Sequence, residues 1–232
     1  MSRPIAVCLL TVIATVVAAP LPAAVIPPIG LAPGASYQLI FVTADIHDAL
    51  SDDIAIYNAF VTTEAALGTP SGLPTATWTA VASTAAVDAN VNAPSGLLPV
   101  YNTAGQQVAG PGVGIYTGTL DNLVAYDQHG DVALSAQDFD VWTGSDFQGF
   151  GVPDATMGAL TNETEIGHVA LDSTWLQFDI HLQTSEILFR KPLYALSSTL
   201  TVPEIPEPAT ITLLGTALAM LVGRGIWRRR RT

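Results

Sequence analysis

Two apolar runs, residues 5–19 and 209–227, bracket this chain, and prolines fence both from the stretch between them. That arrangement constrains the fold more than any total does, because the ends suit a different solvent from the middle. Met1-Ser2-Arg3 gives a short positive start, the first run follows, and Pro20-Leu21-Pro22-Ala23-Ala24 closes it. A positive start, an apolar stretch and a small-residue exit are the parts of a secretory signal. The run is shorter than the ~20 residues a membrane-spanning helix needs. Residues 1–24 are therefore expected to be a signal peptide, cleaved after Ala24 or near Ala19. The single cysteine, Cys8, lies inside it. The mature chain would then carry no thiol into an oxidising compartment and could form no disulfide.

The second run has three parts in order. Pro203, Pro206 and Pro208 hold the backbone extended and deny it helix. As a helix, residues 209–227 would span about 28 Å at 1.5 Å per residue, close to a bilayer core of about 30 Å. Arg224 sits near the end of that stretch, where its head can snorkel to the interface. Arg228, Arg229, Arg230 and Arg231 then form a cytoplasmic stop. The order Pro206-Glu207-Pro208, hydrophobic helix, arginine cluster resembles the PEP-CTERM sorting signal, over residues 203–232. The resemblance implies a partner enzyme, an exosortase, that reads Pro206, Glu207 and Pro208 as substrate. It implies a precursor held in the inner membrane of a Gram-negative-type bacterium by the C-terminal helix. The body would then be delivered to the cell surface or an exopolysaccharide matrix.

The body, residues 25–202, is acidic. Of the chain's 20 acidic residues 18 lie between positions 25 and 201, against two basic ones, Arg190 and Lys191, a net of −16 there. Such a surface repels phosphate, which excludes nucleic acid as a partner and makes phosphorylated substrates a poor fit. With 49% hydrophobic and 12% charged residues over the whole chain, the composition is that of a folded rather than a disordered protein.

The strongest helix begins near Ser51, the expected N-cap, with Asp52 and Asp53 in the first turn. Ile54, Tyr57, Val61 and Ala65 share a face, Ile56, Phe60 and Leu67 lie beside it, and Gly68 is the stop. Strands are expected at 37–43, 75–82, 98–101, 113–117, 139–143, 174–180 and 193–202. Across 174–180, Thr174, Leu176, Phe178 and Ile180 alternate with Trp175, Gln177 and Asp179. Few helices, short strands and long loops predict an α+β domain, with an all-β sandwich as the alternative.

Several landmarks recur in one order: the opening Phe41-Val42-Thr43, Asn58 in the helix, the segment from Trp78, Pro99-Val100-Tyr101-Asn102, Tyr116-Thr117-Gly118, Val141-Trp142-Thr143-Gly144, Trp175, and the closing Leu193-Tyr194-Ala195-Leu196. This resembles bacterial surface domains of the C-type-lectin-like and endostatin-like fold. The body departs from that pattern in lacking disulfides and the Glu-Pro-Asn and Trp-Asn-Asp motifs of calcium-dependent sugar binding. The resemblance therefore implies a fold without implying its sugar site.

The chemistry-bearing residues are sparse. Gly-x-Ser-x-Gly, His-Glu-x-x-His and a lysine-bearing phosphate loop are all missing. His47, His129, His168 and His181 lack metal-ligand spacing. The best calcium pattern is Asp127-Gln128-His129-Gly130-Asp131 with Asp138 and Asp140; the competing reading is a solvated acidic turn, and no other cofactor is expected. Trp78, Trp142 and Trp175 could stack on sugars but sit in strand-like segments that favour the core. Three functions compete. The first is an exported, non-enzymatic surface or matrix protein whose body binds polysaccharide or another envelope component. The second is a secreted matrix hydrolase using paired carboxylates. The third is a permanently anchored single-pass surface protein.

Overall fold

A computed structural model describes residues 28, 30–68, 73–133, 139–183 and 190–204. The signal peptide, Pro206, Glu207, Pro208, the apolar run 209–227, the arginine cluster and Asp138 lie outside the described residues. Among the described residues no helix is long and apolar enough to cross a membrane. They form a small β-rich domain with short strands, long connections and few helices.

The first strand, β1 (Ser36–Val42), is central to the larger sheet. Its apolar run is continuous because both faces are covered. Tyr37, Leu39 and Phe41 join one core cluster with Tyr57, Val61, Ala65, Trp78 and Trp142. Ile40 and Val42 join a second with Val100, Val108, Ile115, Trp175, Tyr194 and Leu196. Full burial of such side chains stabilises by about 1.5–3 kcal/mol each.

The helix α1 (Ile54–Leu67) supplies the first cluster. Its cap is Asp53, whose carboxylate accepts the Ala55 N–H at 3.0 Å. Ser51, the expected cap, instead donates its N–H to the Tyr57 hydroxyl at 2.9 Å, and that hydroxyl donates back to the Ser51 carbonyl at 2.8 Å. The helix thus starts two residues later than the sequence predicts. It ends at Gly68 as expected. A side chain there would meet the Gln128 carbonyl at 2.7 Å, so close approach explains this glycine.

The larger sheet contains β2 (Trp78–Ala80), β3 (Val100–Asn102), β4 (Gln107–Ala109), β8 (Tyr194–Ser197) and β9 (Leu200–Thr201) around β1. Its order is β2-β8-β1-β3-β4, with β9 beside the start of β1. Only β1 and β3 run parallel; β8 and β9 return antiparallel to β1. A short helix, α2 (Ala89–Asn92), follows β2. The second sheet is the antiparallel trio β5 (Asp140–Trp142), β6 (Glu163–His168) and β7 (Asp179–Leu182). A bridge from Trp142 to Leu193 joins it to the first.

Several sequence expectations differ from this picture: β4 and β6 lie outside the expected strands, and β2 takes up only Trp78–Ala80 of the expected 75–82. Residues 113–117 form turns rather than a strand, because Gly112 and Gly114 take positive φ (81° and 77°). The expected strand at 174–180 is displaced to 179–182. The closing strand is broken into β8 and β9 by a bend at Ser198 and Thr199.

Candidate functional site

The second sheet gathers a cluster of titratable side chains. Lys191, the chain's single lysine, is buried and donates to the Asp140 carboxylate at 2.9 Å. Its ammonium also lies 5.7 Å from the centre of the Trp142 ring. The same Asp140 oxygen is 3.8 Å from His181 Nε2, which is 4.0 Å from the Asp179 carboxylate. The neighbouring cation, Arg190, pairs with Asp48 at 3.7 Å. Both basic residues of the body are therefore committed to internal ion pairs.

Glu165 lies in the middle strand of the same sheet and is 4% exposed. Burial pushes its carboxyl up to about 7, a Phe178 backbone hydrogen bond partly offsets that, and the Asp179 charge adds to the rise. A carboxyl with that proton affinity suits acid–base work. Glu165, however, is covered, and Asp140 is neutralised by Lys191.

Beside this charged group lies an aromatic patch. The rings of Phe139 and His168 stack at 5.3 Å, and His168 meets Phe178 edge-on at 4.9 Å. The two phenylalanines are 45% and 46% exposed. His168 Nδ1 accepts the Ala170 N–H at 3.2 Å, which assigns the proton of the neutral ring to Nε2. The backbone register sets Asp140 opposite His168. Sequence reasoning missed this patch, because it assigned Phe178 to a strand face shared with Leu176. The chain turns between them, and Leu176 is buried while Phe178 is not. The local signal was the bend-forming Asp172-Ser173-Thr174.

The structure describes the residues of the calcium pattern except Asp138. Asp127 Oδ1 accepts the N–H groups of His129 and Asp131 at 2.8 and 3.0 Å, so this carboxylate closes its own turn. Gln128 runs inward, donating to Glu64 at 2.8 Å and accepting the Ala44 N–H at 2.9 Å. The loop is a clamp between α1 and the end of β1. Asp140 belongs to the second sheet and to Lys191. Among the described residues no three His, Cys, Asp or Glu side chains converge to hold a metal.

Trp78, Trp142 and Trp175 are all buried, as the core reading requires. A cleft of about 120 Å³ lies elsewhere, lined by Gln38, Asn92, Thr79 and Ser197 among others. Its amides are already engaged: Gln38 donates to the Ser197 carbonyl at 2.9 Å, and Asn92 donates to Asn58 at 2.9 Å and to the Ala80 carbonyl at 2.7 Å. They tie α1, α2 and the sheet together. No protein-family model matches the chain, and no curated protein matches it.

Proposed function

We propose that this chain is an exported, non-enzymatic surface or matrix protein, sorted through a PEP-CTERM signal and bearing a C-type-lectin-like body that binds polysaccharide or another envelope component. The observation that carries the reading is the ordered tail of Pro206-Glu207-Pro208, apolar run and four arginines in a chain that opens with a secretory pattern. The body's geometry supports it. The Gly34 N–H donates to the Val202 carbonyl, and the Val202 N–H to the Ala35 carbonyl, both at 2.9 Å. Entry and exit of the domain are therefore side by side. Val202 is buried, whereas Pro203 and Glu204 are exposed. A processing enzyme acting on Pro206-Glu207-Pro208 would work C-terminal to Val202 and to the last described strand, β9. The pairing of the first strand with β8 and β9, and the packing of α1 on the sheet, fit the lectin-like reading.

Deleting residues 203–232 tests it. The expected result is loss of the body from the envelope and its recovery in the medium. The parent, isolated from the surface, should have an intact mass lacking the four arginines. Unchanged fractionation of the deletion variant would overturn the sorting role, and a surface form that keeps Arg228–Arg231 would favour permanent anchoring.

A further inference from the structure

The patch of Phe139, His168 and Phe178 combines half-exposed rings with acid. Asp179, next to Phe178, has a side chain 67% exposed. Ile180 and Leu182, at 46% and 65% exposure, lie on the opposite face of β7 from Asp179 and are no part of this patch. An exposed apolar patch rimmed by polar groups marks an interaction surface. Charge then selects the partner. The stretch 25–201 carries a net of −16, and its two cations serve Asp48 and Asp140. A polyuronate or a phosphate-bearing polymer meets repulsion from that field. An aromatic face attracts an ammonium group through its quadrupole, and an adjacent carboxylate strengthens the attraction.

We propose that this patch binds a polysaccharide with free, protonated amino groups, a deacetylated hexosamine polymer. The apolar faces of the sugars lie on the open sides of Phe139 and Phe178, an ammonium sits over a ring and near Asp179, and His168, packed against both rings, holds them in place. The inference deepens the reading of the body as a glycan binder and does not depend on the sorting signal.

The test is calorimetric titration of the full-length chain, purified in detergent, with a short glucosamine oligomer, its fully N-acetylated counterpart and an oligouronate. The glucosamine oligomer should bind, the acetylated one at least about tenfold more weakly, and the oligouronate not at all. The double variant Phe139→Ala/Phe178→Ala should weaken binding roughly tenfold. Asp179→Asn should weaken it roughly threefold and reduce its salt dependence. The Asp179 side chain is mostly exposed, so this variant keeps the fold and decides the matter even if the phenylalanine variant does not fold. Equal affinity for the acetylated oligomer, parent-like binding by Asp179→Asn, or no binding of any oligomer overturns the proposal. None of those results would alter where the chain fractionates after deletion of 203–232, so the two readings fail separately.

Discussion

Glu165 is the residue whose burial most clearly sets a pH dependence. Its carboxyl ordinarily titrates at 4.5 and is raised to about 7 in the fold. Between those values the folded state holds a proton that the unfolded chain releases. Stability from this group is therefore full below 4.5, falls as pH rises, and is gone above about 7. Glu165→Gln keeps the shape without the charge. It should raise stability at pH 8 by up to about 3 kcal/mol and flatten the decline. Urea melts at pH 5 and pH 8 check both signs.

Lys191 poses a related question with the opposite answer. Removing one member of a buried pair strands the other charge, so Lys191→Met should destabilise by about 3–5 kcal/mol. The double variant Lys191→Met/Asp140→Leu should recover most of that, because an apolar pair of similar volume needs no counter-charge. Equal losses in the single and double variants would show that the methylene packing, not the charge, matters. At this scale the sequence was partly legible. Three tryptophans in strand-like segments read as core, and they are. The acidic turn at Asp127 could not be resolved from its residue types, since a carboxylate capping its own backbone and one binding calcium use the same residues.

Among the elements, legibility followed burial. The opening strand reads clearly because both its faces are covered, leaving a continuous apolar run. The helix reads clearly because Tyr57, Val61 and Ala65 recur on one side. The middle strand β6 did not read as a strand at all. Its sequence, Glu163-Thr164-Glu165-Ile166-Gly167-His168, has weak strand preference. Pairing on both sides overrides that preference, and Gly167 is required because the Trp175 carbonyl occupies the place of a side chain. Gly144 does similar service where the two sheets meet. It takes φ of +60°, and a Cβ there would fall 2.6 Å from the Ser83 carbonyl oxygen and 2.7 Å from Met157 N. The same turn donates the Gly144 N–H to the Glu165 carbonyl at 2.9 Å. Gly144→Ala should thus destabilise by about 1–3 kcal/mol, whereas Gly112→Ala, which has open space despite its positive φ, should cause a smaller loss. Thermal melts of the two variants at one pH compare them directly.

For the whole molecule, composition foretold the charge but not its arrangement. The excess of acid was countable, yet only the fold shows that Arg190 and Lys191 point their charges at Asp48 and Asp140. Among the described residues those two are the only Lys or Arg side chains, so the exposed carboxylates that remain repel one another, and that repulsion opposes the compact state. That repulsion is long-ranged and screened by salt. The Debye length shrinks from about 10 Å at 0.1 M to about 3 Å at 1 M. Ion pairs on the surface of an ordinary protein would weaken over that range. Here the two pairs involving the body's cations are wholly or partly buried and are screened little, so screening the like charges dominates. Sodium chloride added from 0.05 to 0.5 M should therefore raise the melting temperature by roughly a few degrees. Potassium chloride should match it, because the effect is screening and not site binding. The gain should be smaller at pH 4, where much of the carboxylate charge is neutralised. A melting temperature that falls with salt at pH 8 would mean that attraction, not repulsion, governs this surface, and the case for a cationic partner would weaken with it.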